Sequence, residues 1–252
     1  VANDSVLYQS GLRLIGESVG NLLSPKLSNE QFLKKVKSVK SAQCKVYMCN
    51  SFFPEELKIA GDKVEEQAVL AYADTVFRRA SEAGIPVIVL GSGSARRLPN
   101  GYDVTKATDD FISLAKKLTL VAAKYKVKIF LEALNSTETN FITTLSQAAH
   151  IVKSVNHPNF RLNADIYNML KENESPQSII DAGSIIEYCE IAEKDERTYP
   201  GFKGDDFVPY LKALKKINYK GYIFIEGRWT SLKIEAPLAK AYMEAQLKIA
   251  YQ

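Results

Sequence analysis

The chain has 252 residues, 46% of them apolar and 25% charged, an ordinary globular composition with enough length to bury a core without disulfide or metal staples. Its formal charge is only +4, with 33 basic residues scattered among 29 acidic ones, which argues against the concentrated basic footprint of a nucleic-acid binder. No segment is long and apolar enough to span a membrane, and Cys44, Cys49 and Cys189 lack metal-ligand spacing and lie in or beside apolar runs, as buried free thiols do.

Residues 1–10 contain no convincing strand. The first strand is expected over 12–17, ending on Glu17, followed by a loop with Gly20 and Pro25. Ser28 is placed to cap a helix running to about residue 39. A second strand over 45–50 opens into the loop Ser51-Phe-Phe-Pro54. A helix over 65–83 stops at Gly84, and a third strand over 86–91 runs into Ser92-Gly-Ser-Ala-Arg96-Arg97. A helix over 106–125 leads to a short apolar strand that ends on Glu132. Helix 141–155 precedes a strand ending at Asp165, and a short helix over 176–182 precedes one ending at Glu190. Helix 206–217, the strand ending at Glu226 and a long helix over 232–250 close the chain.

Seven strand–helix repeats at this spacing fit right-handed βαβ units, with no linker or composition break between them. A single (β/α)8 TIM barrel over residues 1–252 explains the pattern best, since such barrels build their sites where strands run out into loops. An open doubly wound sheet is the alternative, but it concentrates its site at one switch point. One strand is missing from the count: the first lies upstream of Val1 or is poorly formed within residues 1–9. The sequence begins without an initiator methionine, which points to a removed leader or other segment and leaves cytoplasm and export both open.

The acids are the informative residues. Burying a carboxylate at a strand end is costly unless something pairs with it. Glu132, Asp165 and Glu226, each closing an apolar strand, therefore suggest one shared site holding a cation, a base or an ion pair. The bland readings stand beside these. Glu17 could pair with a basic neighbour, and Glu138 could complement the dipole of a following helix. The loop Gly91–Arg96 could cradle a phosphate through backbone amides and Arg96, or be a tight turn. Phe52, Phe53 and Trp229 could stack on a sugar or form a dimer contact.

Several motifs together resemble the xylose-isomerase-like TIM barrels of the sugar phosphate isomerase/epimerase family, which include the ketose 3-epimerases. They are Glu17-Ser-Val-Gly20, Asn50-Ser-Phe-Phe-Pro54, Gly91-Ser-Gly-Ser-Ala-Arg96-Arg97-Leu-Pro99, Glu132-Ala-Leu-Asn135 with Glu138-Thr-Asn140, Asp165-Ile-Tyr-Asn168, Ala192-Glu-Lys-Asp-Glu-Arg197-Thr-Tyr-Pro-Gly201 and Ile225-Glu226. The resemblance covers residues 17–229. It implies a divalent metal, manganese or magnesium, held by Glu132, Asp165, Glu190 and Glu226, with Glu132 and Glu226 also serving as the acid–base pair. It further implies that Glu138, Asn168 and Arg197 hold a sugar or sugar phosphate, with Glu17 and Arg96 as further candidates for binding it. A homodimer formed through the mouth loops is compatible with such barrels.

Two positions depart from the family pattern. Glu190 stands where a metal-ligand histidine belongs, and Asn168 where a substrate-binding histidine belongs. The chain's two histidines, His150 and His157, fall on a helix and in a loop before a strand. An all-oxygen donor set favours magnesium, manganese or calcium, and its surplus negative charge suits a cation from Lys194 or Arg197. The first expectation is an isomerase or epimerase that moves a proton alpha to a carbonyl. The alternative is a degenerate barrel that binds a carbohydrate without metal or turnover. An abasic-site endonuclease, built on a related barrel with several histidine ligands, fits poorly because neither histidine lies at a strand end.

Overall fold

The computed structural model describes residues 3–252. Seven parallel strands pair in sequence order: β1 (Leu14–Ser18), β2 (Lys45–Asn50), β3 (Val87–Leu90), β4 (Lys128–Glu132), β5 (Phe160–Asp165), β6 (Ile186–Ile191) and β7 (Ile223–Ile225). Helices return along the outside, among them Asn29–Lys40, Glu66–Ala83, Val104–Lys124, Leu145–Val155 and Val208–Lys216. The result is a nearly closed TIM barrel, and the open-sheet alternative is not adopted. No pairing joins β1 to β7 among the described residues; a largely apolar cavity of about 540 Å³ lies between them, lined by Leu14, Ile15, Phe224 and Trp229 among others.

Local signals act where the sequence places them. The Ser28 hydroxyl accepts from the Gln31 amide while the Gln31 side chain accepts from the Ser28 amide, a reciprocal cap on helix Asn29–Lys40. Gly84, at φ 75°, ends helix Glu66–Ala83 in the left-handed conformation that glycine adopts without a steric penalty.

Two expectations are corrected, and one further element appears. The option of a first strand within residues 1–9 fails, because Asp4–Gln9 is a helix whose Asp4 carboxylate accepts from the amides of Gln43 and Cys44; Val1 and Ala2 lie outside the described residues. The helix expected from residue 141 begins at Leu145. Ile142 has φ 60° and cannot be helical, and Asn140 is engaged with both the amide and the carbonyl of Leu98. A short helix, Ile166–Lys171, follows β5 directly, capped by the Asp165 carboxylate accepting from the Tyr167 amide.

Side chains alternate across each strand, so two apolar cores form. The larger packs the outer faces of the strands against the helices, where Phe52 and Phe77 lie fully buried. The smaller fills the barrel with Met48, Val87, Val89, Phe130 and Tyr188. Phe130 and Tyr188 stack there at 5.5 Å between ring centroids. No helix among the described residues is long and apolar enough to cross a membrane. Phe130→Ala should destabilise the protein by about 3–5 kcal/mol, measured as a lower urea midpoint at unchanged m-value.

Candidate active site

On four strands the inward-facing residue at the C-terminal rim lies two positions beyond another inward-facing residue of the barrel. Phe130 leads to Glu132, Asn163 to Asp165, Tyr188 to Glu190 and Phe224 to Glu226. Strand pairing sets Asp165 directly beside Glu190. A register shift between Leu162 and Asn163 places Asn163 opposite Tyr188, keeping β5 and β6 in phase at the rim. Glu132, Asp165, Glu190 and Glu226 consequently each offer a carboxylate oxygen, and these four atoms lie within 4.8 Å of one another.

The first three of these acids are buried and Glu226 is half-buried. Burial pushes Glu132 and Glu190 well above the usual carboxylate range, and the neighbouring carboxylates add to the shift. Asp165 is raised to about 7 by burial and by Glu226, against the lowering effect of Arg197. Arg197 is the cation at the rim. It bonds the Glu226 carboxylate, lies 3.5 Å from Glu138 and 3.8 Å from Asp165, and stacks over Tyr167 at 4.6 Å. Burial alone would lower its pKa, but the carboxylates around it outweigh that and hold it charged.

Neutral amides complete the network. Asn168 donates to Asp165 at 2.5 Å and more weakly to Glu132 at 3.5 Å, while its oxygen accepts from the backbone and side-chain amides of Asn135. Asn135 also donates to Glu138 at 2.9 Å. Asn163 donates to Glu190 at 2.5 Å, and the Tyr188 hydroxyl lies 3.3 Å from the other Glu190 oxygen. Asn50 donates to Glu226 at 2.8 Å. Two cavities open on this rim. One of about 300 Å³ is lined by Ser51, Ser92, Glu132, Glu138, Arg197 and Glu226. The other, of about 330 Å³, is lined by Glu17, Asn50, Glu190 and Glu226 among others.

The structure thus gathers Glu132, Glu138, Asp165, Asn168, Glu190, Arg197 and Glu226, with Glu17 at the edge of the second cavity. Arg96 is placed differently. It is fully buried and donates to the backbone carbonyls of Glu132 and Ile142, so it braces the end of β4 from behind. Lys194 turns away to Asn173, leaving Arg197 as the cation that the acids receive. Glu138 sits in a turn after β4, not in a helix. Phe52 belongs to the outer core, Phe53 lines the first cavity, and Trp229 stacks on Tyr199. His150 is exposed on its helix, and His157 accepts from the Asn159 amide.

Sequence reasoning passed over Asn50, Asn163 and Tyr188 as site residues. The signal available was their spacing, since Asn163 and Tyr188 lie two residues before Asp165 and Glu190 and so share their strand face. Glu193 was also passed over; nothing local marks its carboxylate as buried.

A family model described as xylose isomerase-like TIM barrel matches residues 37–249. The chain belongs to this family. Within it, the chain is 34% identical over 175 residues to L-ribulose 3-epimerase of Methylomonas sp. (strain DH-1), a match covering 64% of this chain and only 58% of that protein. It is 30% identical over 194 residues to 3-dehydro-D-guloside 4-epimerase of Escherichia coli K12, covering 73% of this chain and 72% of that one. The fold is also that of D-psicose 3-epimerase from Clostridium cellulolyticum H10, solved with D-tagatose. The TM-score is 0.84 at 19% identity, covering 98% of this chain and 93% of the other.

Two outcomes follow for this family member. Without a cation, the folded protein carries protons on Glu132, Asp165 and Glu190 that the unfolded chain releases above its ordinary range, roughly pH 4. Stability should therefore fall as pH rises from about 4 through the Asp165 value of about 7. The melting temperature of metal-stripped protein should be lower at mildly alkaline than at mildly acidic pH, and divalent cations should stabilise it most at the alkaline end. Separately, a β-carbon at Gly91 would fall on the Glu132 carboxylate. Gly91→Ala should displace the Glu132 carboxylate and destabilise the protein by about 1–3 kcal/mol, read by thermal denaturation.

Proposed function

We propose that the protein is a metal-assisted ketose epimerase or isomerase, acting on the carbon next to a sugar carbonyl. The observation that carries this reading is the convergence of four carboxylates on one point of the barrel rim with one guanidinium among them. With all four acids ionised, the single positive charge of Arg197 would leave the cluster net negative, and an all-oxygen donor set of this size suits a hard dication such as manganese or magnesium. A dication held by Glu132, Asp165, Glu190 and Glu226 would supply Lewis acidity toward the sugar carbonyl.

The protein's own residues do the rest. Glu132 from β4 and Glu226 from β7 reach the centre from strands separated by β5 and β6. They are suited to approach one sugar carbon from different sides. Epimerisation requires this, because the proton must leave one face of the carbon and return to the other. Arg197, Glu138 and Asn168 supply donors and acceptors for sugar hydroxyls. The buried apolar layer of Phe130 and Tyr188 beneath the site raises the acids' proton affinity. Similarity to an L-ribulose 3-epimerase and a 3-dehydro-D-guloside 4-epimerase supports a ketose or keto-sugar as substrate.

A second reading, carbohydrate binding without turnover, draws on the Arg197–Glu226 pair. It places a resident side-chain cation against the acids, while Asn168 and Glu190 occupy the positions of histidines. One experiment separates the two. Metal-stripped protein is titrated with manganese and magnesium by calorimetry beside Glu190→Ala, then incubated with free ketoses and ketose phosphates in deuterated water. The epimerase reading expects stoichiometric metal binding that Glu190→Ala weakens, with deuterium entering the sugar carbon. Glu132→Gln and Glu226→Gln should each slow that exchange by about 10²–10⁴-fold. Ketose binding with no metal uptake and no exchange would leave only the binder.

A further inference from the structure

The loop after β6 holds a buried carboxylate that the proposed chemistry does not use. Glu193 is fully buried, and among the described residues no cationic side chain bonds it. Its partners are the backbone amides and one hydroxyl of the segment that follows. One oxygen accepts from the amides of Gly201 at 2.8 Å, Gly204 at 2.9 Å and Asp205 at 3.4 Å. The other accepts from the Thr198 hydroxyl at 2.8 Å and the Lys203 amide at 2.5 Å. The Glu193 amide also donates to the Thr198 carbonyl at 3.0 Å. Burial by itself would raise the pKa of this carboxylate, but the converging donors outweigh it and hold Glu193 below the ordinary range.

The wrapped segment contains Arg197, and its backbone is strained there. Glu196 and Arg197 are consecutive non-glycine residues in the left-handed region, at φ 59° and 55°. Such residues persist only where surrounding structure over-determines them. The Arg197 carbonyl accepts from the Arg228 amide at 2.7 Å, fixing the loop to the end of β7. Arg197 then reaches Glu226, Glu138 and Asp165. Glu193 and Arg197 thus lie at opposite ends of one rigid turn.

We propose that Glu193 is a positioning residue: by folding residues 194–205 around its carboxylate, it fixes Arg197 over the acid cluster and so governs how firmly a sugar is held. The sugar-binding part of this inference rests on the proposed function; the positioning of Arg197 does not. Glu193→Gln swaps one accepting oxygen for an NH₂ that faces donors, so it should open the nest.

The test combines backbone amide exchange with a double-mutant cycle on the 252-residue chain in the presence of manganese. In Glu193→Gln, amides of residues 194–205 should lose protection at least tenfold while those of β4 and β5 keep theirs. With D-fructose as probe, Glu193→Gln should weaken binding or raise KM about tenfold, with a smaller change in kcat. In an Arg197→Ala background the same substitution should change either by less than twofold, because the residue it positions is gone. Should Glu193→Gln fail to fold, Thr198→Val removes one donor to the nest and should loosen the same segment. Unchanged protection in residues 194–205, a uniform loss across the barrel, or effects that multiply in the double variant would overturn the proposal. Selective loosening of the loop in a protein that binds no ketose would keep the positioning role and dismiss the sugar reading instead.

Discussion

Everything at the barrel rim answers to one electrostatic constraint: four carboxylates with ligand atoms within 4.8 Å of each other, above a floor of aromatic and aliphatic side chains. At an effective dielectric near 20, each like-charged pair at such a distance repels by about 3 kcal/mol. Arg197 relieves part of this repulsion. The remainder is met by retained protons or by a dication, and the two compete for the same oxygens. The cluster is therefore poised for a cation, and its stability and its chemistry depend on the same groups.

The surroundings of the acids are built from neutral donors. Asn50, Asn163 and Asn168 each hold one carboxylate in a fixed orientation without adding charge, which is the work that outer hydrogen bonds do around metal ligands. Asn168 in particular ties Asp165 to Asn135, and through it to Glu138. Glu190 is held by Asn163 and lies beside the Tyr188 hydroxyl, partners suited to a carboxylate.

The rim also carries a strained stretch of backbone. The left-handed pair Glu196 and Arg197 sits in a loop organised by a buried carboxylate, and Arg96 braces the far end of β4 by binding backbone carbonyls. Both are charged groups buried for the sake of backbone geometry. Such groups cost desolvation energy, which is offset here by three or more hydrogen bonds at Glu193 and two at Arg96. The rim can then present its acids on a scaffold that does not relax around them.

How much of this was legible beforehand depended on range. The strand–helix repeat, the acids ending the strands, the Ser28 cap and the Gly84 stop are local patterns of period and spacing, and the sequence alone determined them, because a strand's two faces alternate wherever it lies. That Glu132, Asp165, Glu190 and Glu226 meet was foreseeable once a parallel barrel was assumed, since parallel strands end on one rim. Tertiary structure decided the rest. Arg96 and Arg197 are the same residue type in loops of similar appearance, yet one faces the backbone and the other the acids. Glu193 looks like an ordinary polar residue until the loop after β6 folds around it, and the pairing of β5 with β6 brings Asn163 against Glu190. Segment 4–9 is a helix whose Asp4 carboxylate accepts from the amides of Gln43 and Cys44, about 40 residues away. Side-chain partners at such separations are set by packing, and no local pattern encodes them.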